Sequence, residues 1–292
     1  MKISLIQMNS QPDRAHNLAE AKRLMQEAVS LDRPDLIVLP EHFDWSGGTL
    51  DQKCNAADAI PGGAAYRMLQ TFSEQNRVAI HAGSILERTA ASDRIYNSTV
   101  VFNALGEEVG IYRKIHLFDI TAPDGKKYLE SATVAPGKDI LIYELNGLRI
   151  GCAICYDLRF SRLFDQLATH GVDIFVLPAA FTMQTGKDHW EVLCRARAIE
   201  FQAYFVACGQ WGSYPAPDGE TRQTYGNSLI CDPWGQVTAR ASDKVCVTSA
   251  RIDPERLHAV RALIPMSSHR VDLHDVSLTV ARDKTERLAN VL

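Results

Sequence analysis

A single layered α/β domain is the fold class the sequence predicts, and three observations predict it. Short, wholly apolar runs alternate with amphipathic stretches, two of those runs nearly repeat each other, and no Gly/Ser-rich linker interrupts the 292 residues. The near-repeat pairs Asp35-Leu-Ile-Val-Leu-Pro40 with Asp173-Ile-Phe-Val-Leu-Pro178. Each run follows a strand-like segment and a helical one, so the domain is expected to be two related strand-helix-strand halves. The shared demands of a buried strand would also produce such a match, and that alternative stays open. No fixed short period suggests a solenoid.

The chain opens with a strand-like run from Lys2 to Met8. A helix is expected from about Asn17 to Ser30, where Leu18, Ala21, Leu24, Met25 and Val29 recur at helical spacing. The first fully apolar strand runs from Asp35 to Glu41 and leaves Glu41 at its C-terminal end. Strands follow from Val78 to Leu86, Tyr96 to Asn103 and Glu108 to Tyr112, with Asn103-Ala-Leu-Gly106 as a hairpin turn. The second half reads as a strand from Arg149 to Cys155, a helix from Ser161 to His170 and a strand from Asp173 to Ala179. A helix from Trp190 to Gln202 comes next, then strands at Tyr204 to Gly209, Ser228 to Asp232 and Val245 to Ile252. Asp232-Pro-Trp-Gly235 is a turn, and Asp253 with Pro254 starts the last helix as a cap followed by a proline at the first helical position. Periodicity fades from Ser267, so residues 1–272 are assigned to the domain and 273–292 to a C-terminal tail.

Composition narrows the function classes. A hydrophobic content of 46% with 23% charged residues is that of a soluble globular protein. A formal net charge of -4 offers no basic field for phosphate backbones, so nucleic acid is not an expected partner. No stretch approaches the roughly 20 apolar residues of a membrane span, so no membrane association is expected. The opening MKISLIQMNSQPD has too short an apolar run for a signal peptide. Seven cysteines, an odd number scattered from Cys54 to Cys246, do not form a secreted disulfide framework. A cytoplasmic location is expected.

Cys155 is the candidate nucleophile. It stands where a strand gives way to Tyr156-Asp157-Leu158-Arg159-Phe160 and a helix, a sharp turn that exposes a side chain at the sheet edge and aims the following N–H groups at a developing oxyanion. A free thiol has a pKa of about 8.5, so the site must supply a base or a cation. Glu41 is the candidate base, because a carboxylate ending so apolar a strand calls for a functional reason, and burial is expected to raise its pKa. Its plain alternative is a carboxylate turned outward after Pro40. Lys114, just past a strand end, is the candidate cation; alone it would read as a solvated surface lysine. Cys152 and Cys155 form a C-x-x-C, but there is no second pair, and a spacing of three along a strand sends the two side chains to opposite faces, against a metal or redox use. Cys194 and Cys208 read as packing residues, His116 and His189 as hydrogen-bonding histidines rather than a Cys-His dyad, and Arg195 and Arg197 as partners for Glu200 or another subunit.

Taken together, Glu41 in LPEHF, Lys114 in YRKIHLFD and Cys155 in CYDLRF resemble the Glu-Lys-Cys triad of the nitrilase, or carbon-nitrogen hydrolase, superfamily. The resemblance runs from about Lys2 to Asp272 and includes TGKDHWEVLCRARAIE at 185–200 and YGNSLICDPWG at 225–235. It implies an αββα sandwich paired into a homodimer or higher homo-oligomer. It also implies hydrolysis of a small-molecule amide without metal or organic cofactor, with Glu130, in YLES, positioning substrate and water. Lys114 and the backbone N–H of Tyr156 would face the oxyanion of a thioester-forming reaction that releases ammonia. CYDLRF is similar to the omega-amidase and deaminated glutathione amidase branch, whereas true nitrilases usually carry Trp-Glu where this chain has Tyr156-Asp157. The substrates implied are ω-amides of 2-oxo acids or deaminated glutathione. An N-carbamoyl amino acid hydrolase uses the same triad and is the alternative, as is a non-catalytic interaction protein on the same scaffold. Phe43, Tyr156, Phe181 and Met183 are candidate pocket walls, with core packing as their other reading. Arg159, Thr182 and Lys187 are candidates to meet the far end of an acidic substrate.

Overall fold

The two near-repeated apolar runs become the middle strands of two different sheets. In the computed structural model, which describes residues 1–90, 93–122, 124–216, 218–271 and 273–281, Leu36–Val38 lies between Lys2–Gln7 and Ala79–His81, parallel to both. Ile174–Ala179 lies likewise between Leu148–Cys152 and Tyr204–Gly209, again parallel to both. Parallel strands require crossovers, and helices supply them in both halves: Arg14–Asp32, then Leu50–Ala56 with Ala64–Asn76, in the first, and Ser161–Thr169, then Met183–Phe201, in the second. Antiparallel strands extend each parallel centre into a seven-stranded and a six-stranded sheet. The two halves are therefore the same motif.

Side-chain alternation explains how the sheets stack. On the first sheet Ile6, Ile37, Leu39 and Ile80 pack against Ala21, Leu24 and Met25 of one helix and Leu69 and Phe72 of another. The intervening residues Ile3, Leu5, Leu36 and Val38 join the core of the second sheet. The Cys208 thiol crosses between the sheets and donates to the carbonyls of Ile6 and Val38, 3.3 Å to each. On the far side of the second sheet Phe175 meets Phe164 and Phe201 of the two covering helices, with ring centroids 5.3 and 5.9 Å apart. The order of layers is α, β, β, α, as the family resemblance implies. Cys152, Cys194 and Cys208 are all buried in this core.

Several boundaries differ from the sequence reading, each for a local reason. The strand expected from Val78 to Leu86 divides at Gly83, whose φ of 60° brings its backbone so close to the Pro40 carbonyl that a Cβ would collide with it. The helix expected from Trp190 begins at Met183, capped by Thr182, whose hydroxyl accepts from the Thr185 N–H. Gly186 weakens the helical pattern there but is needed, because a Cβ would strike the Tyr225 ring. The polar helix Leu50–Ala56 and the amphipathic helix Ala64–Asn76 were not expected, nor were the hairpins Asp119–Thr121 with Lys127–Leu129 and Trp211–Pro215 with Thr221–Tyr225. In the tail, Leu273, Val276, Leu278 and Val280 are exposed, and the part of the expected tail from 282 onward lies outside the described residues. Among the described residues no helix is long and apolar enough to cross a membrane.

Truncating the aromatic contact beneath the second sheet tests this layering. Phe175→Ala is expected to lower stability by about 3–5 kcal/mol, read as a shift of the urea midpoint; a change within about 0.5 kcal/mol would contradict a packed inner layer at this position.

Candidate active site

The first sheet's middle strand delivers Glu41, and the residues behind it are pinned. His42 takes a φ of 59° and its N–H donates to Ser84 Oγ at 2.9 Å, while the Glu41 carbonyl accepts from Gln210 Nε2 at 3.0 Å. The Glu41 carboxylate is buried and receives three donors. Oε1 accepts from Lys114 Nζ at 2.9 Å and Asn97 Nδ2 at 2.9 Å, and Oε2 from the N–H of Ala180 at 2.8 Å. Lys114 follows the strand Glu108–Arg113, and its buried ammonium also donates to Glu130 Oε2 at 2.9 Å. Glu130, at the start of a short 3-10 turn, accepts in addition from Asn97 Nδ2 at 3.2 Å and the Phe118 N–H at 2.7 Å. Asn97 thus ties both carboxylates together. No motif marked it, because a lone Asn in a strand has no distinctive pattern.

The second sheet delivers the thiol. Leu148–Cys152 ends before Cys155, which opens a 3-10 turn, Cys155–Arg159, with a φ of 48°. That left-handed conformation is uncommon outside glycine and is held here by Asp157. Its buried carboxylate accepts from the N–H of Ile154 at 2.8 Å, Tyr112 Oη at 2.7 Å and the N–H of His116 at 3.0 Å, and pairs with His116 Nδ1 at 2.7 Å. His116 stacks on Phe160 at 3.8 Å. It serves the turn, as the sequence reading held against a Cys-His dyad. The motif CYDLRF marked Asp157 without revealing this bracing role.

Charge balance sets the protonation states. Burial, the largest influence on Cys155, pushes its thiol well above the ordinary range, and the neighbouring Glu41 charge adds to that, outweighing Lys114. For Glu41, burial again acts most strongly and upward, but the Lys114 charge opposes it and the net shift is downward. The sequence expectation of a raised Glu41 pKa is therefore corrected: the ammonium 2.9 Å away reverses it. Glu130 behaves alike, with burial opposed by Lys114 and then Lys53, and falls to about 2. Lys114 is depressed by burial but raised more by Glu130 and Glu41, and ends well above its usual value. Burial drives His42 down to about 4, so it is neutral. Ligand atoms of Glu41, His42 and Glu130 lie within 4.8 Å of one another, close enough to share a metal ion, yet Lys114 Nζ already bridges both carboxylates.

A cavity of about 410 Å³ opens over this cluster. Glu41, Lys114, Glu130, Cys155 and Tyr156 line it, and so do Phe181 and Thr182. Phe43 does not: it is fully buried against the helices of the first half, so the pocket-wall expectation is corrected to core packing. Met183, Lys187 and Arg159 are also absent from the lining. Arg159 lies over the rings of Tyr156 and Phe181, 6.0 and 5.4 Å from their centroids, and so contacts two lining residues. Arg197 binds Glu200 at 2.8 Å and the Leu158 carbonyl, and Arg195 the Gly235 carbonyl. Besides Asn97, sequence reasoning missed residues of the unexpected elements: Lys53, Lys127, Tyr128, Tyr214 and Arg222 all line the cavity.

Residues 2–262 match the carbon-nitrogen hydrolase family, and the chain belongs to it. It is accordingly a hydrolase of carbon–nitrogen bonds other than peptide bonds. Among named relatives, the deaminated glutathione amidase of Synechocystis sp. PCC 6803 is 40% identical over 269 residues, covering 91% of this chain and 96% of its own. The omega-amidase NIT2 of Xenopus tropicalis is 36% identical, covering 94% and 97%. The crystal structure of Saccharomyces cerevisiae Nit3, a member of branch 10 of the nitrilase superfamily, superposes with a TM-score of 0.81 at 29% identity, over 91% of this chain and 95% of that one.

The raised thiol pKa has a direct readout. The wild type minus Cys155→Ala difference in thiolate absorbance is expected to stay flat up to about pH 8.5, where an ordinary cysteine is half ionised; a thiolate step near neutral pH would contradict the assignment of a protonated resting thiol.

Proposed function

We propose that this hydrolase cleaves the ω-amide of a 2-oxo dicarboxylic acid through a thioester on Cys155. The observation that carries the reading is the placing of Cys155 in one cavity with Glu41, whose carboxylate is held by Lys114 and the Ala180 N–H. Relatives are named a deaminated glutathione amidase and an omega-amidase, and the proposed substrate has its amide at the end of the acyl chain remote from the 2-oxo carbon.

The steps follow from the groups present. As Cys155 Sγ attacks the amide carbon, Glu41 removes the thiol proton, and negative charge passes to the carbonyl oxygen. A lysine ammonium has three N–H donors, and Lys114 spends two on Glu41 and Glu130, leaving one for that oxygen. The N–H of Tyr156 supplies the second oxyanion donor, and each such donor contributes about 3–4 kcal/mol. Glu41 then returns its proton to the nitrogen, which leaves as ammonia or an amine. Water enters, loses a proton to Glu41 and attacks the thioester, steered by Glu130. Collapse releases the acid and restores the thiol. No cofactor enters these steps.

We further infer a cytoplasmic, homo-oligomeric enzyme whose catalytic domain spans 1–272. Free cysteines suit a reducing compartment, and exposed Val192 and Ile199, one face of the helix Met183–Phe201, offer an apolar surface to a second copy.

A product-release screen tests the reaction across α-ketoglutaramate, deaminated glutathione, N-carbamoyl amino acids, neutral amides and nitriles. Turnover of the two 2-oxo amides is expected, abolished in Cys155→Ala and reduced about 10²–10⁴-fold in Glu41→Gln. Activity on nitriles or carbamoyl amino acids alone, or activity surviving in Cys155→Ala, would overturn the reading.

A further inference from the structure

An acidic substrate brings a carboxylate into a cavity whose reacting end is already negative, since Glu41 and Glu130 outnumber Lys114. Some cation must offset it. Besides Lys114, the cavity is lined by Lys53, Lys127 and Arg222. Arg222 is already committed: it pairs with Asp218 Oδ2 at 2.6 Å and lies 4.4 Å over the Tyr128 ring. Lys127 is exposed on its hairpin, where solvent screens it. Lys53 differs from both. It is half-buried, yet has neither a hydrogen bond nor an ion pair from its ammonium among the described residues.

Its placement is built. Thr49 and Gln52 form a reciprocal capping box at the start of Leu50–Ala56: the Thr49 hydroxyl accepts from the Gln52 N–H at 3.2 Å, and the Thr49 N–H donates to Gln52 Oε1 at 2.8 Å. The N–H of Lys53 closes the first turn onto the Thr49 carbonyl at 3.0 Å. This fixes the residue on the side of the cavity shared by His42 and Glu130, whose ionisation its charge perturbs.

We propose that Lys53 is the specificity determinant that receives the substrate's distal carboxylate, the group attached to the 2-oxo carbon. The proposal rests on the acidic-amide reading above. An unpaired ammonium lining a half-open cavity gains an ion pair when an anion arrives, and burial already pulls the Lys53 pKa below that of a free lysine, with Glu130 opposing. A carboxylate at this point completes an ion pair that the free protein lacks.

The test uses the intact chain, with 2-oxoglutarate as a non-reacting probe and α-ketoglutaramate and butyramide as acidic and neutral substrates. Lys53→Met is expected to weaken calorimetric binding of 2-oxoglutarate about tenfold or more. It should also lower the ratio of kcat/KM for α-ketoglutaramate over butyramide by a similar factor, through KM rather than kcat. Lys53→Arg should recover most of both. Unchanged binding, or an equal loss on both amides, overturns the proposal. If 2-oxoglutarate binding depends on Lys53 while α-ketoglutaramate is not hydrolysed, the subsite stands and the proposed reaction fails. If the amide is hydrolysed independently of Lys53, the reaction stands and the subsite fails.

Discussion

One ammonium holds the site together. Lys114 Nζ lies 2.9 Å from each of two buried carboxylates, and nearly every other feature of the cavity follows from keeping that arrangement intact. Unit charges about 4 Å apart interact by about 4 kcal/mol at an effective dielectric near 20. That attraction is enough to reverse the upward pull of burial on Glu41 and Glu130, so both stay ionised in a water-poor setting. Fixed donors from Asn97, Ala180 and Phe118 occupy the remaining lone pairs, which an isolated pair would leave unsatisfied at a cost of several kcal/mol. In the proposed reaction Glu41 is thereby a weak base. Proton transfer from the Cys155 thiol would be unfavourable at rest and favourable only as charge moves onto a substrate oxygen beside Lys114. The proposed nucleophile is thus coupled to the presence of substrate.

The two-sheet architecture explains why this cluster meets a cysteine at all. The first half supplies Glu41, Asn97, Lys114 and Glu130, and the second supplies Cys155 and the Ala180 N–H. Ala179 and Ala180 follow the second near-repeat as Glu41 follows the first, and the 2.8 Å bond from Ala180 to Glu41 joins the two strand ends directly. Equivalent ends of duplicated motifs thus face each other across the sandwich, one carrying charge and the other a neutral backbone donor. Asp157 performs the matching task for the thiol, gripping Ile154, Tyr112 and His116 so that Cys155 keeps its left-handed turn.

How far this was legible in the sequence depended on the kind of signal. Buried parallel strands such as Leu36–Val38 and Ile174–Ala179 are uniformly apolar, so they stood out, and strand-end chemistry at Glu41 and Cys155 stood out with them. The candidate reacting groups came with motifs. The cavity's outer wall did not, because short polar hairpins and the helix Leu50–Ala56 lack an apolar period, so Lys53 and Arg222 were invisible. Phe43 misled because a large aromatic beside a catalytic-looking residue suits a pocket and a core equally, and only packing separates them. The direction of the Glu41 pKa was misread for a related reason: burial is evident from an apolar strand, but a neutralising lysine 73 residues away is a tertiary fact.

The central claim is a covalent one, that the acyl group passes through Cys155. Acid quenching of the enzyme during steady-state turnover of α-ketoglutaramate, followed by peptide mass spectrometry, tests it most directly. The account predicts a mass increase on the Cys155 peptide equal to substrate minus ammonia, absent from the other six cysteines. Continued turnover with the Cys155 peptide unmodified, or the adduct on another residue, would contradict it.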